Sequence, residues 1–384
     1  MSRRPFAVIT GGGTGGHVSP ALAVAEALVE RGRSRDEIEF VGGRRGIEGR
    51  LVPEAGFVVH RLPGRGIQRR LTAENITAGL GLVAATFMAL ALAIRRRPRV
   101  VVTVGGYAGF PYALAAVCLR IPLIVVNVDA VPGAANRLVG RLASANAVAF
   151  PGTPLPRATV TGPPVRHCVL DTSREPGERA KARAELGLDP ARRLIVVTGG
   201  SLGAGSVNDA TLELATRWAA RPDVAIYHVA GERNVEAVRS RAAEAGLLEE
   251  PAGGLQYRPA GFDPALVSAL AACDVAVCRA GASTVAELTA IGVPSILVPL
   301  PGAPGDHQTK NAEALAAAGA AVVLTDRECS GESLAQALEA FLYDDGKLQA
   351  MSAAARGLGH RDAADRVAEM TERAAAGRAS RSSR

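Results

Sequence analysis

The chain has 384 residues, 48% of them hydrophobic and 21% charged, with a formal net charge of +7. That length allows two domains of ordinary size, and the apolar content excludes a disordered chain. Five cysteines with no C-x-x-C spacing exclude a disulfide framework and make a reducing cytoplasm the simplest setting.

In chain order, the N-terminus "MSRRPFAVITGGG" is basic, but its apolar run is too short for a signal peptide. The stretch "FAVITGGGTGGHVSPALAVAEAL" then predicts a strand, a glycine-rich turn and a helix. A second strand is expected in "EIEFVGGRRG". The uncharged run 76–94, "ITAGLGLVAATFMALALAI", precedes "RRRPR". Three readings stay open for it: a membrane span, an ordinary buried helix, or a helix with one face on a membrane. Arg65, Arg69, Arg70 and Arg95 to Arg97 favour the last, because basic residues beside apolar surface bind anionic lipid.

The strand–glycine–helix signature returns at 98–119, 193–215 and 274–294. Such alternation predicts an α/β protein with parallel sheets covered on both faces. The first and third copies, TGGGTGG and TGGSLGA, are about 190 residues apart, which suggests two similar Rossmann-like domains. "PGTPLPRATVTGPPV", 151–165, is too rich in Pro and Gly for a helix and marks the boundary. The expected division is 1–164, a linker over 165–190, a second domain over 191–376 and a disordered tail over 377–384. Residues 346–376 are expected to be helical throughout. The first 164 residues carry 20 Arg, no Lys and 9 acids, while the rest carry 24 basic and 28 acidic residues. The halves therefore differ in sign, and the basic one suits nucleic acid, anionic lipid, a phosphorylated substrate, or an arginine-rich soluble surface.

A glycine turn before a helix lets a ligand approach the backbone and aims free N–H groups at an anion. Gly11 to Gly16 satisfy the dinucleotide pattern G-x-G-x-x-G, but the second strand ends in Val-Gly-Gly where that fingerprint wants an acid. Arg44 and Arg45 keep a 2′-phosphate, and so NADP, open. "GGSLG", 199–203, also fits a G-x-S-x-G elbow, with Ser201 as nucleophile and Asp274 and His307 in hydrolase order. In "RAGASTVAEL", 279–288, Thr284 and Glu287 fit a capping box. The other reading has the Glu287 carboxylate accepting ribose hydroxyls. Asp306, His307, Gln308 and Asn311 open another helix as sugar binders or as plain capping residues.

"GGGTGGHVSPALAVAEAL", "VGGYAGFP", "GPPVR", "GGSLGA", "CRAGASTVAEL" and "DHQTKNAEALAAAGAA" together resemble the MurG family of peptidoglycan N-acetylglucosaminyltransferases over most of the chain. The resemblance implies the GT-B fold, with the two domains facing a central cleft. It implies UDP-N-acetylglucosamine as donor, held mainly by the C-terminal domain. The implied acceptor is an undecaprenyl-diphosphate-linked N-acetylmuramoyl pentapeptide, met at the cytoplasmic face of an anionic membrane, and the product is lipid II. It implies no cofactor, no metal and no nucleic acid. By position, Thr14, Gly15 and Gly16 belong to the acceptor loop, and Arg166 and Ser201 to the donor diphosphate. Arg279, Ala282, Ser283, Thr284, Val285 and Ala286 fall in the sugar–nucleotide loop. Glu287 falls at the ribose, and Gln308 and Asn311 at the donor sugar.

Three positions depart from the pattern. Val126-Asn127-Val128-Asp129 replaces the family's His-Glu-Gln-Asn, so Asp129 stands where an Asn meets the donor sugar. Leu202 replaces a Gln, and Pro163 an Asn. A transferase with another acceptor, or a binding protein without turnover, also fits these changes. The sequence has no Asp-x-Asp pair, so a departing diphosphate would be stabilised by Arg166, Ser201 and helix N-termini. His17 is the best-placed base for an inverting attack, and its other reading is a hydrogen bond to the acceptor diphosphate or the loop.

Overall fold

The computed structural model describes residues 4–13, 15–44, 46–63, 73–200, 203–249 and 253–382, with backbone alone over 73–80 and 378–382. Two compact units result: Met1–His167 with His360–Arg384, and Cys168–Gly359.

The first unit is built on seven strands: β1 (Ala7–Gly11), β2 (Ile38–Gly43), β3 (Val58–Leu62), β4 (Val100–Gly105), β5 (Leu123–Asn127), β6 (Ala145–Val148) and β7 (Ala158–Val160). Their order is β3-β2-β1-β4-β5-β6-β7, and every neighbouring pair is parallel. Runs such as "VVVTVG" are buried along their whole length, as strands covered by helices on both faces require. The pairing of β1 with β4 slips between Thr10 and Gly11, where the glycine corner begins.

The uncharged run lies in the helix Ala73–Arg96. It buries Ala85, Ala89 and Ala93, one per turn, in the cluster that holds Tyr112, Ala113 and Ala116. Small side chains on that stripe let the helix sit close to its neighbour. Among the described residues no helix is long and apolar enough to cross a membrane.

The second unit repeats the plan with β8 (Arg193–Thr198), β9 (Val224–Val229), β10 (Gln256–Ala260), β11 (Val275–Cys278), β12 (Ser295–Leu297) and β13 (Ala321–Val323). The order is β10-β9-β8-β11-β12-β13, again all parallel. Its core is aliphatic around Trp218 and Tyr257. In both sheets the order reverses beside the first strand, between β1 and β4 and between β8 and β11. Parallel sheets bind ligands outside the carboxyl ends of the strands at such reversals.

The sequence division differs from these units at both ends of the second one. Residues 168–190 are not a free linker. Arg174, Arg179 and Arg183 donate to the carbonyls of Leu270, Ala271, Ala272 and Cys273, closing the C-terminus of the helix Leu266–Ala272. The long helix expected over 346–376 is two helices, Asp345–Leu358 and Ala363–Ser382. Gly359 lies between them, where a Cβ would stand 2.7 Å from the Thr289 carbonyl oxygen. The second of these helices belongs to the first unit and extends through most of the expected disordered tail. Before the tail it buries Ala363, Ala364, Val367, Ala368 and Ala375, and Glu372 pairs with Arg31 and Arg33.

Candidate functional site

In the first unit, the corner after β1 is lined by the loops after β2 and β4. Gly105 and Gly106 have φ of 100° and 76°, which side chains rarely adopt. A Cβ on Gly106 would stand 2.8 Å from the Gly12 carbonyl oxygen and 3.6 Å from His17 Nδ1. The His17 ring therefore packs against this bare backbone. Gly15, Gly16 and His17 are half-buried and form the first turn of the helix Gly15–Glu30. Thr14 lies outside the described residues.

The inner half of the corner is occupied by Glu48, the first residue of the helix Glu48–Glu54 and 1% exposed. Its Oε2 accepts the Gly13 N–H at 3.0 Å, and its Oε1 accepts the Gly43 N–H at 2.6 Å. A Cβ on Gly12, Gly42 or Gly46 would overlap this carboxylate. The strand, turn and helix of the dinucleotide fingerprint are thus present, but an acid of the chain itself takes up the glycine N–H groups. A cofactor pyrophosphate there would meet a like charge, so the nicotinamide reading fails. Sequence reasoning looked for an acid closing β2 and missed Glu48. The signal available was the glutamate after the paired glycines in "VGGRRGIE".

Asp129 is half-buried beyond β5. Its carbonyl accepts from Asn127 Nδ2 at 2.7 Å, and Asn136 Nδ2 donates to Asn127 Oδ1 at 3.2 Å. Asn127 and Asn136 are 2% and 6% exposed and brace the departing motif from within. Asn136 was not singled out from sequence. Arg166, expected at a diphosphate, donates Nε and Nη2 to Glu26 Oε1 at 3.0 and 2.7 Å.

In the second unit, the corner after β8 runs through Gly199, Gly200 and Gly203, with Ser201 and Leu202 outside the described residues. A Cβ on Gly203 would overlap the Ala230 carbonyl oxygen, so the loop is pressed onto the end of β9. A buried chain stands behind it. Asn208 Nδ2 donates to Ala230 O at 3.1 Å, and Asn208 Oδ1 faces His228 Nε2 at 3.0 Å. His228 Nδ1 faces the Tyr257 hydroxyl at 2.7 Å. With the Asn208 oxygen as acceptor, Nε2 carries the proton and Nδ1 accepts from Tyr257. Burial pushes the fully buried His228 down to about 4, so the ring is neutral.

At the end of β11, Arg279 acts as a clamp. Its Nη1 donates to the carbonyls of Val298 and Pro299, both at 3.1 Å, and lies 2.6 Å from Asp326 Oδ1. Nη2 donates to Ser206 Oγ at 2.9 Å, and Ser206 donates to Asp326 Oδ1 at 2.6 Å. Burial alone would raise the Asp326 carboxyl; the hydrogen bonds from Ser206 and Arg279 outweigh it and hold the group below its usual range. Arg279 thus ties together the loops after β8, β11, β12 and β13.

The helix Ala282–Ile291 has Gly281 as its N-cap, with no side-chain cap. Thr284 therefore sits inside the first turn, and the capping box expected with Glu287 does not form. Ser283, Thr284 and Glu287 are half-exposed and lie on one face at helical spacing. Ala282, Val285 and Ala286 are buried, so they can offer a ligand backbone only. The N–H groups of Ala282 to Thr284 have no carbonyl within the helix to bond. Gln308 Oε1 accepts the Leu300 N–H at 3.0 Å. Asn311 is 0% exposed and donates to Ala280 O at 3.1 Å, so it braces the loop instead of presenting its amide to a sugar.

The two described members of the hydrolase reading, Asp274 and His307, do not come together. Asp274 lies at the amino edge of the sheet, before β11, where it accepts from Leu194 N and pairs with Arg179 and Arg183. His307 lies beyond the opposite edge, after β12, with Nδ1 on Pro304 O at 2.8 Å.

Comparison with known proteins agrees with this geometry. Residues 7–148 match the glycosyltransferase family 28 N-terminal domain, and residues 194–367 match its C-terminal domain. A UDP-N-acetylglucosamine–N-acetylmuramyl-(pentapeptide) pyrophosphoryl-undecaprenol N-acetylglucosamine transferase of Desulforudis audaxviator is 38% identical, over 96% of this chain and 98% of its own. The protein of that name from Alkalilimnicola ehrlichii is 42% identical, over 94% and 97%. The crystal structure of Acinetobacter baumannii MurG matches with a TM-score of 0.73 at 30% identity, covering 96% of this chain and 99% of that one.

Proposed function

The chain belongs to glycosyltransferase family 28, among the UDP-N-acetylglucosamine–N-acetylmuramyl-(pentapeptide) pyrophosphoryl-undecaprenol N-acetylglucosamine transferases, and we propose that its second unit holds the donor and its first the acceptor. It is a hexosyltransferase of the GT-B fold that moves N-acetylglucosamine from UDP-N-acetylglucosamine onto the undecaprenyl-pyrophosphoryl N-acetylmuramyl-pentapeptide, the step that makes lipid II. The observation that carries the division of labour is the contrast between the corners. The corner after β1 is supplied with a carboxylate of its own, whereas the helix after β11 begins at Gly281 with no side-chain cap and carries Ser283, Thr284 and Glu287 on one face.

In the donor unit, the N–H groups at Ala282 to Thr284, with Ser201, meet the developing charge of the departing diphosphate. Glu287 accepts the ribose hydroxyls, and Gln308 lies toward the sugar. Arg279 and Asn311 hold these loops in place from behind. In the acceptor unit, His17, beside Gly15 and Gly16, takes the proton of the attacking 4-hydroxyl, and the attack inverts the anomeric carbon; Asp129 falls at the donor-sugar position. Arg166, assigned to the donor diphosphate, is held by Glu26 through Nε and Nη2. The chemistry calls for no cofactor.

The acceptor is a lipid, and the first unit carries a surface suited to its membrane. Val83, Phe87, Met88 and Ile94 are 54%, 68%, 43% and 49% exposed on the helix Ala73–Arg96, with Arg95 and Arg97 exposed at its end. An apolar face bordered by arginines favours peripheral attachment to an anionic cytoplasmic leaflet. Arg65, Arg69 and Arg70 lie outside the described residues.

Purified enzyme with UDP-N-acetylglucosamine and a lipid I analogue tests the reading. UDP release that requires the acceptor is the expected result. Release without acceptor would point to epimerase or hydrolase chemistry, and donor binding without release to a binding protein.

A further inference from the structure

Five glycines and one acid meet in the first corner in a way the transfer reaction itself does not explain. Gly12, Gly42 and Gly46 leave room for no side chain because Glu48 fills the space, and Gly43 donates to it. The carboxylate receives one N–H from the loop after β1, at Gly13, and one from the last residue of β2, Gly43. On its far side the Gly12–Gly13 loop meets other residues: the Gly106 backbone against Gly12, and the Tyr107 ring, 2.9 Å from where a Gly13 Cβ would stand. The loop is therefore held between Glu48 and the turn after β4, and His17 follows it by four residues in a ring position that touches the same turn.

We propose that Glu48 is a positioning residue for glycosyl transfer: its buried carboxylate occupies the anion cradle of the first corner, sets the loop that leads into His17, and denies that cradle to substrate phosphate. The proposal rests on the reading of His17 as the residue at the attacking hydroxyl. It also assigns the acceptor diphosphate to the outer half of the corner, at Gly15 and Gly16. There a Gly15 Cβ would meet only Ile47 Cδ1 at 3.8 Å, so the surface is open. The two N–H groups demand two acceptor oxygens. Glutamine keeps the volume but turns an NH₂ toward one of them, donor against donor.

The test uses full-length enzyme with UDP-N-acetylglucosamine and a lipid I analogue. Glu48→Gln lowers kcat by about 10- to 100-fold, the factor carried by a lost hydrogen bond to a charged group, with the KM for UDP-N-acetylglucosamine within about two-fold of wild type by the same reasoning. Glu48→Ala leaves a cradle with two free N–H groups, and formate or acetate restores its turnover saturably. Formate also raises the unfolding temperature of Glu48→Ala and not that of wild type, a readout independent of transfer. Wild-type kcat in Glu48→Gln overturns the proposal. So does a Glu48→Ala defect that neither anion relieves, or a Glu48→Gln protein that has lost UDP binding along with turnover, since the carboxylate would then be maintaining the fold at large. Formate stabilisation of Glu48→Ala alongside a wild type inactive on the lipid I analogue would instead leave the cradle standing and remove the acceptor reading.

Discussion

The two sheets share one strand order over six strands, yet their glycine corners are finished in opposite ways. In the first unit the corner's N–H groups at Gly13 and Gly43 are taken by the Glu48 carboxylate. In the second the corner is braced from behind by neutral groups, the chain from Tyr257 through His228 and Asn208 to Ala230. An internal acid cancels the pull of the inner half of its corner on anions and leaves the outer half at Gly15 and Gly16, whereas a neutral brace leaves the whole corner intact. Topology alone therefore says where a ligand can sit, and the residue behind the loop decides its charge.

The largest expected effect separates the two corners by function. His17→Ala should lower kcat by about 10²–10⁴-fold, the usual loss with a general base, while UDP affinity measured by calorimetry stays near wild type. Loss of UDP binding in this variant would break the comparison outright.

Acid should act on the second corner's brace. His228 titrates at about 4 when folded against 6.5 when free. A depressed histidine contributes its full stability above pH 6.5 and loses it as pH falls toward 4, about 3 kcal/mol over that window at 1.36 kcal/mol per unit. Denaturant melts of wild type and His228→Gln across pH 7 to 4 measure this. The variant's curve should be flatter, and parallel curves would remove His228 from the brace.

Glu287→Ala should weaken UDP binding by about 1–3 kcal/mol, the cost of losing a hydrogen bond to a charged group. Unchanged affinity would remove the ribose assignment and with it part of the contrast. The smallest effect concerns the surfaces. Phe87→Ser should weaken binding to anionic vesicles by about 1 kcal/mol, a partial burial of one aromatic side chain, and binding should fall with added salt. Equal sedimentation with neutral and anionic vesicles would argue against a membrane-facing first unit.

The fold was legible because each strand–glycine–helix copy is a local pattern, with β-branched runs such as "VVVTVG" beside bare turns. The glycine corners were legible for the same reason. What sits behind them was not, because Asn136 and His228 find their partners through sheet pairing and helix packing, and Glu48, although close to Gly43 in sequence, meets Gly13 only across the β1–β2 pairing. The capping box at Thr284 and Glu287 matched in spacing and failed in register, since Gly281 with extended backbone begins the helix. Asn311 looked like a sugar ligand because its neighbours are polar, but its turn of helix faces Ala280. The tail's Ser- and Arg-rich composition hid the last turns of the helix Ala363–Ser382, and nothing local shows that its alanine face packs on the helix Gly15–Glu30 and on β4 and β5, more than two hundred residues earlier.

That last helix makes the first unit discontinuous in sequence, while the second, Cys168–Gly359, is one uninterrupted stretch. Chains emerge from the ribosome N-terminus first, and domains fold as units. The first-encoded unit is therefore the last that can be completed, because Ala363 to Ala375 must arrive to cover it. Until then its apolar surface stays uncovered while the second unit already has all of its residues. A released chain truncated after Gly359 should thus protect its second unit from protease and leave its first unit open to cleavage.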